Sequence, residues 1–264
     1  MITDKEILDK YSLIRPIMNG KVWSYIGYSM LVNEYKRTVL GPIWILLQLI
    51  IFLLAVGSIY SGILNEGFFD YLSYMSSGMI GWVWAGAMLN SSGMVYINNE
   101  SLIKSVRINK SYLLWSHVFY NLLVLLHQIP IMILFYFSNS IEFNFSIFYL
   151  LPTLTLIFLL NIGVSAAMSI IVNRYRDIHK ILISLTIVIM ISTPIFWKPE
   201  MVSGLREYIY LLNPFYYIIQ SIRNPLLGVF DYNIFKILIL MTILTFFLGT
   251  YMHNKYSKNI VFRL

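Results

Sequence analysis

Long stretches without charge alternate along this chain with short stretches that hold most of its charges. Residues 38–65, 71–99, 111–141, 143–173 and 181–197 contain no Asp, Glu, Lys or Arg, and residues 232–252 contain only Lys236. A helix needs about 20 predominantly apolar residues to cross the hydrocarbon core of a membrane. The pattern therefore predicts six transmembrane helices, at about residues 42–64, 72–97, 112–137, 146–172, 179–198 and 233–252.

Two further segments are apolar but do not fit a span. Residues 21–37 mix aromatic and aliphatic side chains with Lys, Arg and Glu, which is typical of a helix lying in the membrane interface. Residues 206–228 contain an uncharged run of only 15 residues, 208–222, and Asn213-Pro214 interrupts it. We expect two short re-entrant helices here on the outer side, the alternative being a plain surface loop.

The composition agrees with a membrane protein. Hydrophobic residues make up 58% of the 264 residues and charged residues 12%, about half the share that is usual in soluble domains. The fold class predicted is an all-α integral membrane protein. The sequence has no cysteine, which excludes disulfides and thiolate metal sites. A cleavable signal peptide is not expected at its start.

The positions of the basic residues predict the orientation. Fifteen of the nineteen Lys and Arg residues lie in residues 1–37, 98–110, 173–180 and 253–264, whereas residues 66–70 and 139–144 hold none. Because cytoplasmic loops carry the excess of Lys and Arg, both termini should be cytoplasmic. The same rule explains the net charge of +7 without a nucleic-acid partner. The expected organisation is a cytoplasmic region with the interface helix (1–37), a six-span domain (38–255) and a cytoplasmic tail (256–264).

Catalytic chemistry is hard to find in this sequence. The six windows, 38–65, 71–99, 111–141, 143–173, 181–197 and 232–252, contain no Asp or Glu, and only His117, His127 and Lys236 could titrate as bases, so coupling to protons or ions has little support. The chain has no G-x-S-x-G, no H-E-x-x-H and no G-x-x-x-x-G-K-[ST] motif. Powered transport would therefore need a separate ATPase docked on the cytoplasmic side.

One predicted cytoplasmic segment has a residue pattern that is typical of a surface for a soluble partner. Residues 98–110 read NNESLIKSVRINK, and on a helix Glu100, Lys104 and Arg107 share one face. The apolar residues of the segment fall on the opposite face. The pattern predicts a short amphipathic helix that offers a surface to a soluble partner, the alternative being a basic loop that serves topology alone.

Four motifs together resemble the permease subunits of type-2 ABC exporters. In chain order they are EYKRTVLGPIWILLQ (34–48), GMIGWVWAGAMLNSS (78–92), NRYRDIHKILISLTIVIMISTPIFW (173–197) and LLNPFYYIIQSIRNPLLG (211–228). The resemblance runs from about residue 30 to 255. Within that family it is most similar to the polysaccharide-exporting branch of O-antigen, capsule and teichoic-acid permeases.

The resemblance implies a homodimer that works with two copies of a cytoplasmic ABC ATPase. It implies that residues 99–110 form a coupling helix seated in the ATPase and that residues 173–180 make a second contact. The residues expected at this contact are Glu100, Leu102, Ile103, Lys104, Val106, Arg107, Lys110, Arg174, Arg176 and Asp177. No cofactor is expected on this chain, since ATP and Mg would be used by the partner.

The resemblance also assigns residues 206–228 to an outer gate. The residues expected there are Tyr208, Asn213, Pro214, Tyr217, Arg223 and Pro225. Aromatic side chains suit a sugar path, because sugars stack their C–H faces on aromatic rings. The residues proposed to line it are Phe52, Tyr60, Tyr74, Trp82, Trp84, Phe196 and Trp197, the alternative being ordinary packing or an interfacial belt.

The function expected from these features is export of a lipid-linked polysaccharide from the cytoplasm across the bacterial inner membrane, driven by ATP hydrolysis in the partner. The chain itself would not be an enzyme, and membrane lipid would surround it. One alternative is an ABC exporter of a drug, lipid or other small amphiphile. A second is a membrane enzyme or scaffold for glycolipids that has no ATPase.

Overall fold

The computed structural model describes residues 12–106, 109–137 and 144–262 of the chain. Within these ranges the regular secondary structure is helical, without a strand. The predicted all-α class is confirmed. Four stretches of the described chain are long and apolar enough to cross a membrane: Ile43–Leu64, Ser111–Phe135, Phe145–Arg174 and Tyr232–Tyr256. They correspond to the first, third, fourth and sixth predicted spans.

The N-terminal third begins with a 3₁₀ turn, Arg15–Asn19, followed by α1 (Gly20–Tyr35), α2 (Ile43–Leu64) and α3 (Phe68–Ser91). The interface helix predicted at residues 21–37 is α1. Arg37 and Gly41 have φ angles of 72° and 55°, so the link between α1 and α2 reverses the chain in the left-handed region. Asn65, with φ of 52°, ends α2 in the same region.

The middle of the chain is more broken than the sequence predicted. A 3₁₀ turn (Ser92–Met94) leads from α3 into α4 (Val95–Asn98) and α5 (Glu100–Ser105). The next helices are α6 (Ser111–Gln128) and α7 (Ile131–Phe137). Pro130 lies at the break between them, where a proline removes a helical hydrogen bond.

The last third contains the longest helices. A 3₁₀ turn (Phe145–Tyr149) precedes α8 (Leu150–Arg174), and α9 (Asp177–Ser192) follows. Two 3₁₀ turns (Pro199–Met201 and Gly204–Glu207), α10 (Tyr208–Leu211) and α11 (Pro214–Leu226) connect α9 to α12 (Tyr232–Tyr256) and the 3₁₀ turn Ser257–Phe262. Residues 206–228 thus form two short helices separated at Asn213, as predicted.

The predicted fifth span is shorter than expected. Residues 179–198 were predicted to be helical, but α9 ends at Ser192 and Thr193 has an extended ψ of 136°. With 16 residues, α9 is about 24 Å long. Pro194 explains the early end, because a proline disfavours helical backbone at the residue before it.

Helix α3 lies at the centre of the molecule. It buries fifteen residues, and these include serines and glycines that let neighbouring backbones approach closely. Helix α9 is the opposite case, since none of its residues is buried within the chain. The contrast shows that α3 is enclosed by the single subunit, whereas α9 is open to lipid or to another protein.

Two other contacts fix the helices. A Cβ atom on Gly163 would lie 2.4 Å from the carbonyl carbon of Thr245, so α8 and α12 meet backbone to backbone. Trp23 of α1 packs against Trp115 of α6 and Phe158 of α8, with ring centroids 5.4 and 5.9 Å apart. The N-terminal helix is therefore anchored to the transmembrane helices by the partly buried Trp23, which packs on the buried Trp115.

Candidate functional site

Arg223 lies where α3, α9 and α11 meet, and it is only 1% exposed. Its Nη1 donates to the carbonyl oxygen of Pro194 at 2.7 Å and to the Tyr74 hydroxyl at 3.0 Å. The guanidinium also sits 4.0 Å from the centroid of the Tyr74 ring. One side chain of α11 therefore bonds to α3 and to the segment that leaves α9.

The same segment is held by two tyrosines of α3. Tyr71 donates to the carbonyl oxygen of Phe196 at 2.9 Å, and Tyr74 donates to that of Trp197 at 3.0 Å. These hydrogen bonds give partners to backbone carbonyl groups that lie beyond the end of α9 and so have no helical hydrogen bond. We call the group of residues 71, 74, 193–197, 213 and 223 the outer junction, after the side of the membrane on which the charge distribution predicts it.

Asn213 links the junction to the start of α11. Its side-chain oxygen accepts from the backbone N–H of Phe215 at 3.0 Å, as an N-cap residue does. Its Nδ2 donates to Thr193 Oγ1 at 2.8 Å. The Asn-Pro motif thus caps one helix and ties it to the end of another.

The buried guanidinium of Arg223 is compensated without an ion pair. No carboxylate in the described chain forms a salt bridge with it. Its Nε and Nη2 atoms have no hydrogen-bond partner. Since burying a charge without compensation is costly, the carbonyl of Pro194 and the hydroxyl and ring of Tyr74 carry the stabilisation. A nearby ion pair, Lys198 with Glu66 at 2.5 Å, closes the same end of the molecule.

Gly78 makes room for this arrangement. A Cβ atom on Gly78 would lie 2.0 Å from Arg223 Nη2. Gly81, one turn further along α3, faces the backbone of Ile219 at 3.1 Å in the same way. The glycines of the second-span motif therefore allow α11 to pack directly against α3.

The predicted channel aromatics divide into two groups. Phe196 packs near Phe52 and Tyr60, with ring centroids 6.1 and 6.0 Å away, and Tyr74 and Trp197 join them at the outer junction. Trp84, in contrast, is 1% exposed within the core. Trp82 is also buried and contacts Phe215 of α11.

The predicted gate residues also lie in different surroundings. Pro225 is buried with Arg223 on the inner face of α11, whereas Tyr208 is exposed on α10. Tyr217 donates to the carbonyl oxygen of Leu211 at 2.8 Å and so joins the two short helices, of which Pro214 starts the second. The sequence did not single out Tyr71. Gly78 and Thr193 lie in the quoted motifs, but their roles were not predicted, because those roles depend on contacts distant in sequence.

The cytoplasmic segment forms a helix shorter than predicted. Helix α5 ends at Ser105, and Val106 is extended with ψ of 136°, so a helix over residues 99–110 is not found. Arg107 lies outside the described residues. Lys104 Nζ lies 2.6 Å from Glu100 Oε1, and this bond holds the pKa of Glu100 below its usual value. The positive charge of Arg176 lowers the same pKa further.

The exposed face of this region combines apolar and charged groups. Leu102 and Val106 are 37% and 52% exposed, whereas Ile103, which the helical pattern placed on the same apolar face, is 7% exposed. Arg174, Arg176 and Asp177, from the neighbouring loop, are exposed as predicted. We call α5, Val106 and residues 174–177 the cytoplasmic patch, after the side of the membrane on which the charge distribution predicts them.

Lys110 is not part of the cytoplasmic patch. It is buried, and its Nζ donates to the carbonyl oxygen of Ser257 in the C-terminal turn. Burial lowers the pKa of Lys110. Lys110, which was predicted to contact the ATPase, thus holds the C-terminal turn against the loop that precedes α6. Among the described residues, no group of three His, Asp or Glu side chains could hold a metal ion.

Comparison with known proteins places this architecture in a family. The sequence model of the ABC-2 type transporter family matches residues 22–227, a range that contains both the outer junction and the cytoplasmic patch. This chain belongs to the ABC-2 type transporter family. The predicted resemblance to type-2 ABC permeases is thereby confirmed.

Two curated relatives refine the comparison. Both are described as the O-antigen export system permease protein RfbA of Klebsiella pneumoniae. Each is 25% identical to this ABC-2 transporter chain over 225 residues, which are 84% of this chain and 86% of the relative. The similarity therefore covers nearly the full length of both proteins.

Proposed function

We propose that this chain is the membrane subunit of an ATP-driven exporter that moves a lipid-linked polysaccharide from the cytoplasm across the bacterial inner membrane. Membership of the ABC-2 family is the observation that carries the proposal. The names of the two relatives, both O-antigen export permeases, favour a polysaccharide as the cargo.

In the proposed assembly two copies of the chain pair with two copies of a cytoplasmic ABC ATPase. Each chain crosses the membrane six times with both termini in the cytoplasm, and α3 and α9 are the second and fifth spans. The absence of any buried residue on α9 supports a dimer, because a second copy would cover a face that the subunit leaves open. ATP and Mg are used by the ATPase.

The cytoplasmic patch is the proposed docking surface for that ATPase. Exposed apolar side chains on a cytoplasmic loop, flanked by charges of both signs, are typical of an interface core with a polar rim. Leu102 and Val106 supply the apolar part, and Lys104 and Arg176 supply positive charge.

Helix α9 is the proposed link between the patch and the outer junction. It starts at Asp177, next to the patch, and its last turn leads into carbonyl groups held by Tyr71, Tyr74 and Arg223. A rigid-body shift at its cytoplasmic end would therefore reach α10 and α11, the proposed re-entrant gate, about 24 Å away. The aromatic cluster around Phe196 would guide sugar rings past that gate.

A charge-reversal experiment tests the coupling. The double variant Lys104→Glu, Arg176→Glu should insert normally but fail to stimulate the ATPase and to export polymer. The single variant Lys258→Glu, on the exposed tail, is the matched control and should behave like wild type. Normal export and normal ATPase stimulation in the double variant would show that the patch is not the docking surface.

A deletion strain separates the possible cargoes. Polymer trapped in the cytoplasm after deletion supports polysaccharide export, whereas altered drug sensitivity alone supports a small amphiphile as the cargo. Purification of the intact chain from membranes without any ATPase would instead support the non-coupled glycolipid enzyme or scaffold.

A further inference from the structure

A cavity of about 340 Å³ lies between α1, α2, α3 and α6. Its volume is within the range of small-molecule sites, roughly 300 to 1,000 Å³. Along α6 it runs from Tyr120 to Gln128, about 12 Å at the helical rise. We call this space the side cavity.

The side cavity has an open mouth and a closed floor. Glu34 of α1 and Gln48 of α2 line it and are exposed, so they mark the mouth. Gln128 and Met79 line it and are buried, so they mark the floor. A ligand could thus enter beside the junction of α1 with α2 and reach inward between the helices.

The floor contains an unsatisfied polar group. Gln128 is 4% exposed, and its Oε1 has no hydrogen-bond partner. Buried polar atoms without a partner are uncommon because they lose their hydration without replacement. The terminal amide of Gln128 can rotate to present either its oxygen or its NH₂ group to a ligand.

The mouth supplies a second acceptor. The Tyr120 hydroxyl donates to Glu34 Oε2, which fixes that carboxylate at the rim of the side cavity. A fixed carboxylate and two amides, Gln48 and Gln128, offer several acceptors and donors in one space. Apart from Tyr35, the rest of the lining is apolar and includes the ring of Phe52.

This lining discriminates between classes of ligand. A hydrocarbon chain would strip water from Glu34 and leave Gln128 without a partner. A phosphate would meet the Glu34 carboxylate, and no Lys or Arg lines the described cavity. A ring with many hydroxyl groups would donate to the carboxylate and the amide and place its C–H face on Phe52.

We propose that the side cavity binds one sugar ring and that Gln128 is a specificity-determining residue for it. The inference rests on the proposed function, since the ring would be a unit of the exported polysaccharide. It adds a sugar site inside each subunit, at the interface of α1 with the spans.

The experiment uses the full chain with its ATPase in phospholipid nanodiscs free of glycosidic detergent. Saturation-transfer NMR measures binding of the methyl glycosides of glucose, galactose and mannose, with cyclohexylmethanol as a probe of similar shape that carries one hydroxyl. Gln128→Leu, which keeps the volume, should weaken glycoside binding about five- to tenfold, the scale of one lost hydrogen bond.

Two tryptophan variants on α6 provide a matched pair. Val124→Trp fills the side cavity and should abolish glycoside binding, whereas Leu126→Trp, on the exposed face of the same helix, should leave it unchanged. Glycoside binding that survives Val124→Trp, equal binding of cyclohexylmethanol, or no glycoside binding by the wild type would each overturn the inference.

Measuring polymer export in cells distinguishes a failure of this inference from a failure of the proposed function. Full export together with glycoside binding that the cavity variants do not change would refute the side cavity alone. Surface polymer that persists after deletion of the gene would refute the proposed function, whichever ligand the cavity binds. Weaker export by Gln128→Leu with an unchanged melting temperature supports both.

Discussion

Replacing Gly78 with Ala tests whether the Arg223 guanidinium holds the outer junction together. The new Cβ would lie 2.0 Å from Nη2 and 3.0 Å from Cζ of Arg223. Comfortable contact between heavy atoms needs about 3.5 Å, so the guanidinium must move by roughly 1.5 Å. It cannot do so without lengthening its bonds to the Pro194 carbonyl and the Tyr74 hydroxyl, which are 2.7 and 3.0 Å long.

The expected cost follows from these contacts. Overpacking a tight site costs about 1–3 kcal/mol, and a hydrogen bond to a charged group contributes about 1.5–3 kcal/mol. Replacing a glycine within a helix by alanine stabilises the folded protein by up to about 1 kcal/mol. We therefore expect Gly78→Ala to lower the stability by about 1–3 kcal/mol, a shift of the melting temperature of roughly 2–10 °C for a chain of this length.

Thermal unfolding in detergent, followed by the fluorescence of the six tryptophans, measures the effect. Gly62→Ala in α2 is the control, because no atom lies within 4 Å of the position that its new Cβ would take, and it should melt at or above the wild-type temperature. In an Arg223→Leu background the shorter side chain leaves space, so Gly78→Ala should then cost little. An unchanged melting temperature for Gly78→Ala, or an equal loss in both backgrounds, would refute the reasoning.

Two further substitutions test other parts of the structure. Gly163→Ala should destabilise the protein by more than about 2 kcal/mol, because its Cβ would clash with the backbone of α12. Gly62→Ala is again the control, and equal melting temperatures of the two variants would contradict the contact between α8 and α12. Lys110→Met should free the C-terminal turn from the loop, because it removes the hydrogen bond to the Ser257 carbonyl. We expect faster proteolysis of the tail in the purified variant, and an unchanged rate of proteolysis would contradict this role of Lys110.

Much of the architecture could be predicted from the distribution of charge. The four long apolar stretches of the structure fall where charge-free windows predicted spans. The interface helix and the break at Asn213-Pro214 also lie where the sequence placed them. These features depend on local properties, namely the apolar length of a segment and the backbone limits of proline, which are properties of the sequence itself.

The ends of short helices were less predictable. The helical pattern of residues 98–110 continued past Ser105, but the chain turns at Val106 and Lys110 is drawn inward by the carbonyl of Ser257. Periodicity alone contains no information about a contact with a segment 147 residues away.

The sequence by itself determined that this is a helical membrane protein, and its motifs indicated the ABC-2 family. Only the tertiary structure decided which residues meet: Tyr74 from α3 and the Pro194 carbonyl, from two distant segments, both accept from the buried charge of Arg223 in α11. The physical reason is that a guanidinium can be buried only where acceptors from several helices surround it. Those acceptors come together only when the helices pack, and no single segment of the chain specifies that packing.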